Sequence, residues 1–216
     1  MSYIEIDSIN FSYEDGGPDV LRDFSVSAER GESVAFTGDN GSGKTTLLRI
    51  LAGLSFPQSG RYVFDGTLID RGYLKDNRNS KRFHKRVGFL FQNPDIMLFN
   101  PKVYDEIAFG PRQLGLGEAE VDMRVRSVME MFSLTELSER VPYHLSGGQK
   151  KKVALASVIV LDPEVLILDE PMSGLDSGNR EWLAGFLCEL KAAGRTLLMA
   201  THDAELMSLA ERVAAL

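Results

Sequence analysis

The chain has 216 residues, 44% hydrophobic and 25% charged, a globular mix that excludes disorder throughout. Lys and Arg number 24 against 31 Asp and Glu, a net charge of −7, which argues against a diffuse nucleic-acid binder. The one cysteine, Cys188, leaves no internal disulfide and fits a reducing, cytosolic compartment.

The longest nearly apolar run, 153–161, is far shorter than the roughly 20 residues a membrane-spanning helix needs. The start, MSYIEIDSIN, lacks a charged-then-apolar leader pattern. A soluble chain without a membrane anchor of its own is expected.

Segments 3–11 and 20–28 are rich in β-branched and aromatic residues and read as strands, with Gly16, Gly17 and Pro18 as the turn between them. Residues 33–37 form a short buried-type strand that runs into a glycine-rich turn and a helix over 44–52. Strands are expected at 61–65 and 87–92. Between them, 71–86 carries seven Lys or Arg residues. It reads as a solvated basic surface, with a docking face or anionic-lipid contact as the alternative.

From 101 to 140 the pattern turns helical, with Val121, Val125, Val128, Met129 and Phe132 near helical spacing. A helix over 147–160, a strand over 165–168 and a helix over 177–192 follow. Trp182, Leu183, Phe186, Leu187 and Leu190 line the apolar face of the last of these. A strand over 196–201 and a final helix from Asp203 complete the order. Such alternation implies a mainly parallel sheet covered by helices.

Residues Gly38-Asp39-Asn40-Gly41-Ser42-Gly43-Lys44-Thr45 fit the phosphate-loop pattern G-x-x-x-x-G-K-[ST], between an expected strand and an expected helix. Glycines allow a tight turn whose N–H groups aim inward, and the helix N-terminus adds positive potential. Gly38, Asn40, Gly41, Ser42, Gly43, Lys44, Thr45 and Thr46 are the expected nucleotide contacts. Lys44 adds a point charge at the β- and γ-phosphates, and the Thr45 hydroxyl suits Mg²⁺.

Val165-Leu166-Ile167-Leu168-Asp169-Glu170 is a buried strand ending in two carboxylates. That end is where ligands sit in open α/β sheets. Asp169 suits the Mg²⁺ shell, and Glu170 suits a general base or polariser for attacking water.

With Leu145-Ser146-Gly147-Gly148-Gln149 added, the sequence strongly resembles an ATP-binding cassette (ABC) ATPase over nearly its whole length. The resemblance implies a P-loop NTPase α/β core with a mainly parallel central sheet, an N-terminal antiparallel β subdomain and an inserted α-helical subdomain. One domain over 1–216 is expected, with the core at 1–100 and 160–216 and the helical signature part at 101–159. ATP and Mg²⁺ are the implied cofactors. Ser146, Gly147, Gly148 and Gln149 form a second anion site facing the ATP of a partner chain. Two chains, identical or not, thus sandwich two nucleotides head to tail.

Other roles carry over singly. Gln92 resembles the glutamine that touches Mg²⁺ and the attacking water. Asp176, in Ser173-Gly174-Leu175-Asp176, resembles the residue tied to the opposite phosphate loop. His202 stands at the switch-histidine position and is expected to orient the catalytic water. Tyr13 resembles the aromatic that stacks on adenine. Glu170, His202, Gln92 and Lys44 are the expected catalytic set, and Thr45, Gln92 and Asp169 the metal set.

The stretch from Gln92-Asn93-Pro94-Asp95 to Val103-Tyr104-Asp105-Glu106-Ile107-Ala108-Phe109-Gly110-Pro111 looks like the energy-coupling-factor importers, including cobalt and nickel uptake ATPases. The implied function is ATP hydrolysis that powers import of cobalt or nickel ions, or of a vitamin. Integral membrane subunits are the implied partners, with no nucleic acid. The implied place is the cytoplasmic face of a prokaryotic plasma membrane, peripherally bound. The C-terminal extension common in relatives is expected to be absent, since only 14 residues follow His202. A soluble DNA-maintenance cassette would carry a long coiled coil between the nucleotide motifs, and a tandem-cassette translation factor would carry two cassettes. A degenerate nucleotide-binding regulator would lack the intact catalytic set.

Overall fold

The computed structural model describes residues 2–14 and 17–216. Gly16 of the expected first turn lies outside them.

Nine strands and eight α-helices are described: β1 (Ile4–Phe11), β2 (Leu21–Ala28), β3 (Ser33–Thr37), α1 (Lys44–Leu51), β4 (Ser59–Phe64), β5 (Thr67–Leu68), α2 (Arg71–Lys75), α3 (Asn77–Arg86), β6 (Val87–Leu90), α4 (Val103–Gln113), α5 (Glu118–Met131), α6 (Gly147–Ile159), β7 (Val165–Asp169), α7 (Ser177–Ala192), β8 (Thr196–Ala200), α8 (Ala204–Leu209) and β9 (Arg212–Ala215). The strands form two sheets. One is antiparallel in the order β2-β1-β4-β5; the other is parallel in the order β6-β7-β8-β3-β9.

Strands β3, β6, β7 and β8 are buried on both faces, which is why they read as apolar runs, while the edge strand β9 leaves alternate residues exposed. Alternation assigns each residue to a layer. Val165 and Ile167 of β7 and Leu198 and Ala200 of β8 pack with α1 and the antiparallel sheet, alongside Ile6, Phe36, Leu47 and Leu51. Leu166, Leu168, Leu197 and Met199 pack on the opposite side with residues of α4 to α7, including Ile107, Val125, Leu155 and Leu183. Phe132, just past α5, meets Trp182 and Phe186 of α7 at ring separations of 5.3 and 5.0 Å, joining the helical segment to the sheet layer.

Two expectations are corrected. The final helix from Asp203 ends at Leu209, and 212–215 forms β9, paired in parallel with β3. The strand expected over 87–92 stops at Leu90, so Gln92 stands on the following loop. The basic stretch 71–86 folds into α2 and α3, whose N-termini are capped by Asp70 and Asp76; its one fully buried side chain is Phe83.

Candidate functional site

Between β3 and α1 the chain makes the phosphate loop. Gly38 and Gly43 have φ of 147° and 101°. A Cβ at Gly38 would lie 2.7 Å from Ser42 Oγ, and one at Gly43 would lie 2.9 Å from Leu21 Cδ2. Both positions therefore require glycine. Gly43 is the N-cap of α1 and no side chain caps that end, so its leading N–H groups face outward as an anion site. Lys44 folds over the loop: its Nζ donates to the carbonyls of Gly38 at 2.6 Å and Asp39 at 2.9 Å.

Asp169 is the last residue of β7 and shares parity with Val165 and Ile167, so it faces α1. There it accepts a hydrogen bond from the Thr45 hydroxyl at 2.9 Å. Burial pushes the Asp169 carboxyl up, opposed by that hydroxyl and by the charges of Arg49, Lys44 and Lys151. Glu170 follows with φ of 41°, a left-handed conformation that is uncommon for a non-glycine and that aims it away from the strand. Its N–H donates to the Ala200 carbonyl at 2.9 Å, locking the turn to β8. His202 Nε2 stands 3.7 Å from Glu170 Oε1.

These side chains line one cleft of about 500 Å³, shared by Tyr13, Asn40, Gly41, Gly43, Lys44, Thr45, Thr46, Gln92, Asp169, Glu170 and His202. Tyr13 is 61% exposed, with its hydroxyl 2.8 Å from Thr46 Oγ1, so its ring stands at the mouth of the cleft. Val20 and Ser173 complete the lining and were not anticipated. Ser173 lies three residues beyond Glu170, a signal the sequence carries; Val20 gives none. Gly38 and Ser42 belong to the loop but not to the lining.

Thr45 Oγ1 and Asp169 Oδ2 are hard oxygen donors 2.9 Å apart on rigid elements, and Gln92 lines the same cleft; oxygen donors of this kind suit Mg²⁺.

The remaining anticipated residues gather elsewhere. Ser146 caps α6 in a reciprocal capping box with Gln149, at 3.0 Å and 3.3 Å. Gly147 and Gly148 form its first turn, ahead of the first i→i−4 bond at Lys150. A Cβ on Gly148 would lie 2.4 Å from the Asn179 amide nitrogen. That amide donates to Asp176, the N-cap of α7, so signature and Asp176 share one surface. Backbone and side-chain hydrogen bonds from Asn179 hold the Asp176 carboxyl below its usual range. Ser146, Gly147, Gly148, Gln149 and Asp176 do not line the cleft.

One further residue stands between the two groups. Lys151 is 2% exposed and donates to the Gln92 carbonyl at 2.8 Å. Burial pulls its ammonium down to about 8, against the favourable charge of Asp169.

A doubly covered parallel sheet with a phosphate loop, a Thr–Asp pair and an acidic residue at the strand end defines a P-loop ATPase. The chain belongs to the ABC transporter family, whose profile matches residues 21–173. It is 46% identical over 195 residues to the nickel import ATP-binding protein LarO of Lactiplantibacillus plantarum, covering 90% of this chain and 81% of that one. It is 43% identical over 211 residues to the energy-coupling factor transporter ATP-binding protein EcfA of Methanothermobacter thermautotrophicus, covering 97% and 66%. Among solved structures it resembles the ATP-binding cassette MJ0796, a dimer in a post-hydrolysis state bound to ADP and Pi, with TM-score 0.89, 25% identity and 99% and 94% coverage.

Proposed function

We propose that the chain is one cassette that binds MgATP in the cleft and hydrolyses it against a second cassette, powering an importer of the energy-coupling-factor type for cobalt or nickel ions or a vitamin. The observation that carries this reading is the division of the site. Lys44, Thr45, Asp169, Glu170 and His202 share one cleft, while Ser146 to Gln149 lie outside it. A nucleotide bound by one chain then needs the signature of another. The dimeric relative with ADP and Pi supports that arrangement, and the nickel-import and energy-coupling-factor relatives support the transport class.

In this reading the phosphate chain replaces the Gly38 and Asp39 carbonyls as the partner of Lys44. The Gly41 and Gly43 backbone and the α1 N-terminus hold the phosphate oxygens. Thr45, Gln92 and Asp169 would hold Mg²⁺, which supplies charge neutralisation at the transferring phosphoryl group. Glu170 accepts a proton from water, and His202 orients that water from beside it. Tyr13 offers its ring to the adenine. Asp176 and the α6 N-terminus meet the partner's loop and phosphate.

No helix among the described residues is long and apolar enough to cross a membrane. In this reading the transport path belongs to integral membrane subunits. The cassette docks on them at the cytoplasmic face, with residues 101–159 as its helical part.

Glu170→Gln tests the reading. The variant should bind ATP, lose turnover by at least about a hundredfold as for loss of a general base, and accumulate as an ATP-bound dimer. Wild-type turnover by this variant would overturn the Glu170 assignment.

A further inference from the structure

The loop that carries Gln92 is held from the helical segment at three points. Lys151 of α6 donates to the Gln92 carbonyl at 2.8 Å. Lys150 pairs with Asp95 at 2.7 Å. Glu106 of α4, 3% exposed, accepts from the N–H groups of Phe99 and Asn100 at 2.9 and 2.7 Å. Of these, Lys151 is the one that contacts a residue lining the nucleotide cleft, Gln92. Its side chain is as buried as the core around it, yet it is a cation, a residue type almost never fully buried unless paired. Among the described residues its side chain donates to the Gln92 carbonyl, and the Asp169 carboxylate lies within its field. The same helix is capped five residues earlier by Ser146.

We propose that Lys151 is a positioning residue that ties the signature end of α6 to Gln92, so that engagement of a partner's nucleotide at Ser146 sets the place of Gln92 in the chain's own cleft. The inference rests on the two-cassette reading above. A helix moves as a body, so a displacement at its N-terminus is carried to Lys151, and the hydrogen bond passes it to the Gln92 carbonyl. A buried apolar residue would fill the same space but pass nothing on.

The test uses the full chain with Lys151→Met, which keeps length and removes the donor, and Lys151→Arg, which restores one. Lys151→Gln, a neutral donor, takes the place of Lys151→Arg if that does not fold, and Lys151→Leu, which also lacks a donor, takes the place of Lys151→Met. Lys151→Met should bind ATP without Mg²⁺ within about twofold of wild type and keep KM. Its kcat should fall about tenfold, the scale of a lost charge-assisted hydrogen bond. In the Glu170→Gln background with ATP, amide exchange at residues 91–93 should slow on dimer formation. Added Lys151→Met should leave the dimer formed but abolish that slowing. Lys151→Arg or Lys151→Gln should recover at least half of both effects.

Wild-type kcat with wild-type exchange in Lys151→Met would overturn the proposal. So would an Arg or Gln variant no better than Met, which would mark a packing role, or a loss of ATP binding. If the Glu170→Gln chain turns over normally, the two-cassette reading fails first. If that variant behaves as expected and Lys151→Met does not, the tie alone fails.

Discussion

The Thr45 hydroxyl donates to Asp169 Oδ2 at 2.9 Å, joining the first turn of α1 to the last residue of β7. Each side chain is fixed by its own element, so the pair is preorganised before any ligand arrives. Strand parity put Asp169 on the α1 face, and the phosphate loop put Thr45 one residue inside the helix.

If the pair holds Mg²⁺ as proposed, Asp169→Asn should raise the Mg²⁺ needed for half-maximal ATP turnover by about tenfold or more, the scale seen for metal-site partners. The fold should hold, since asparagine can still accept from Thr45. A magnesium titration of turnover, with thermal melting as the control, measures this. An unchanged titration would remove Asp169 from the metal set.

His202 stands beside Glu170 at 3.7 Å, on the loop after the neighbouring strand β8. If it orients water rather than binding the nucleotide, His202→Ala should lower kcat by about a hundredfold, within the range for acid–base and positioning groups, with KM within about threefold. Steady-state phosphate release reads both. A large rise in KM with kcat unchanged would make His202 a binding residue only.

Glu164 ties the two sheets together. It accepts from Tyr3 at 2.7 Å, Arg86 at 2.6 Å and Arg30 at 2.8 Å. Hydrogen bonding from Arg86, supported by Tyr3 and opposed by partial burial, pulls its carboxyl from 4.5 to about 2. A lowered carboxylate stabilises the fold above its unfolded value. That contribution is therefore present in full above 4.5 and lost as pH falls from 4.5 toward 2. The carboxylate is only partly buried and its Arg partners are partly solvent-exposed, so the contribution is about 1 kcal/mol, and Glu164→Gln should lower Tm by about 2–4 °C at pH 7. The two proteins should converge in melts run toward pH 3. A gap that widens in acid would contradict the assignment.

The cleft was legible because its residues are dictated locally. The loop needs glycine where φ is positive, and β7 needs apolar residues until the point where it meets a ligand. The elements that were not legible depend on distant partners. Residues 212–215 carry no alternation of their own and become β9 by pairing with β3. Residues 71–86 are dominated by charge, and the caps Asp70 and Asp76 that start their helices are easily passed over. Lys150, Lys151 and Lys152 look alike in the sequence. Spaced about 100° apart on a helix, they reach three environments: an ion pair with Asp95, the buried Gln92 carbonyl, and the Trp182 ring at 4.5 Å. Only the packing of α6 separates them.

The central claim is that a working site takes its phosphate loop from one chain and its signature from another. Lys44→Ala and Ser146→Arg chains should each be inactive alone. Mixed in equal amounts and allowed to exchange, they form heterodimers with one doubly damaged and one intact site. For random pairing and independent sites, ATP turnover should rise to about a quarter of wild type in this head-to-tail geometry. A mixture that stays as inactive as its components would contradict it.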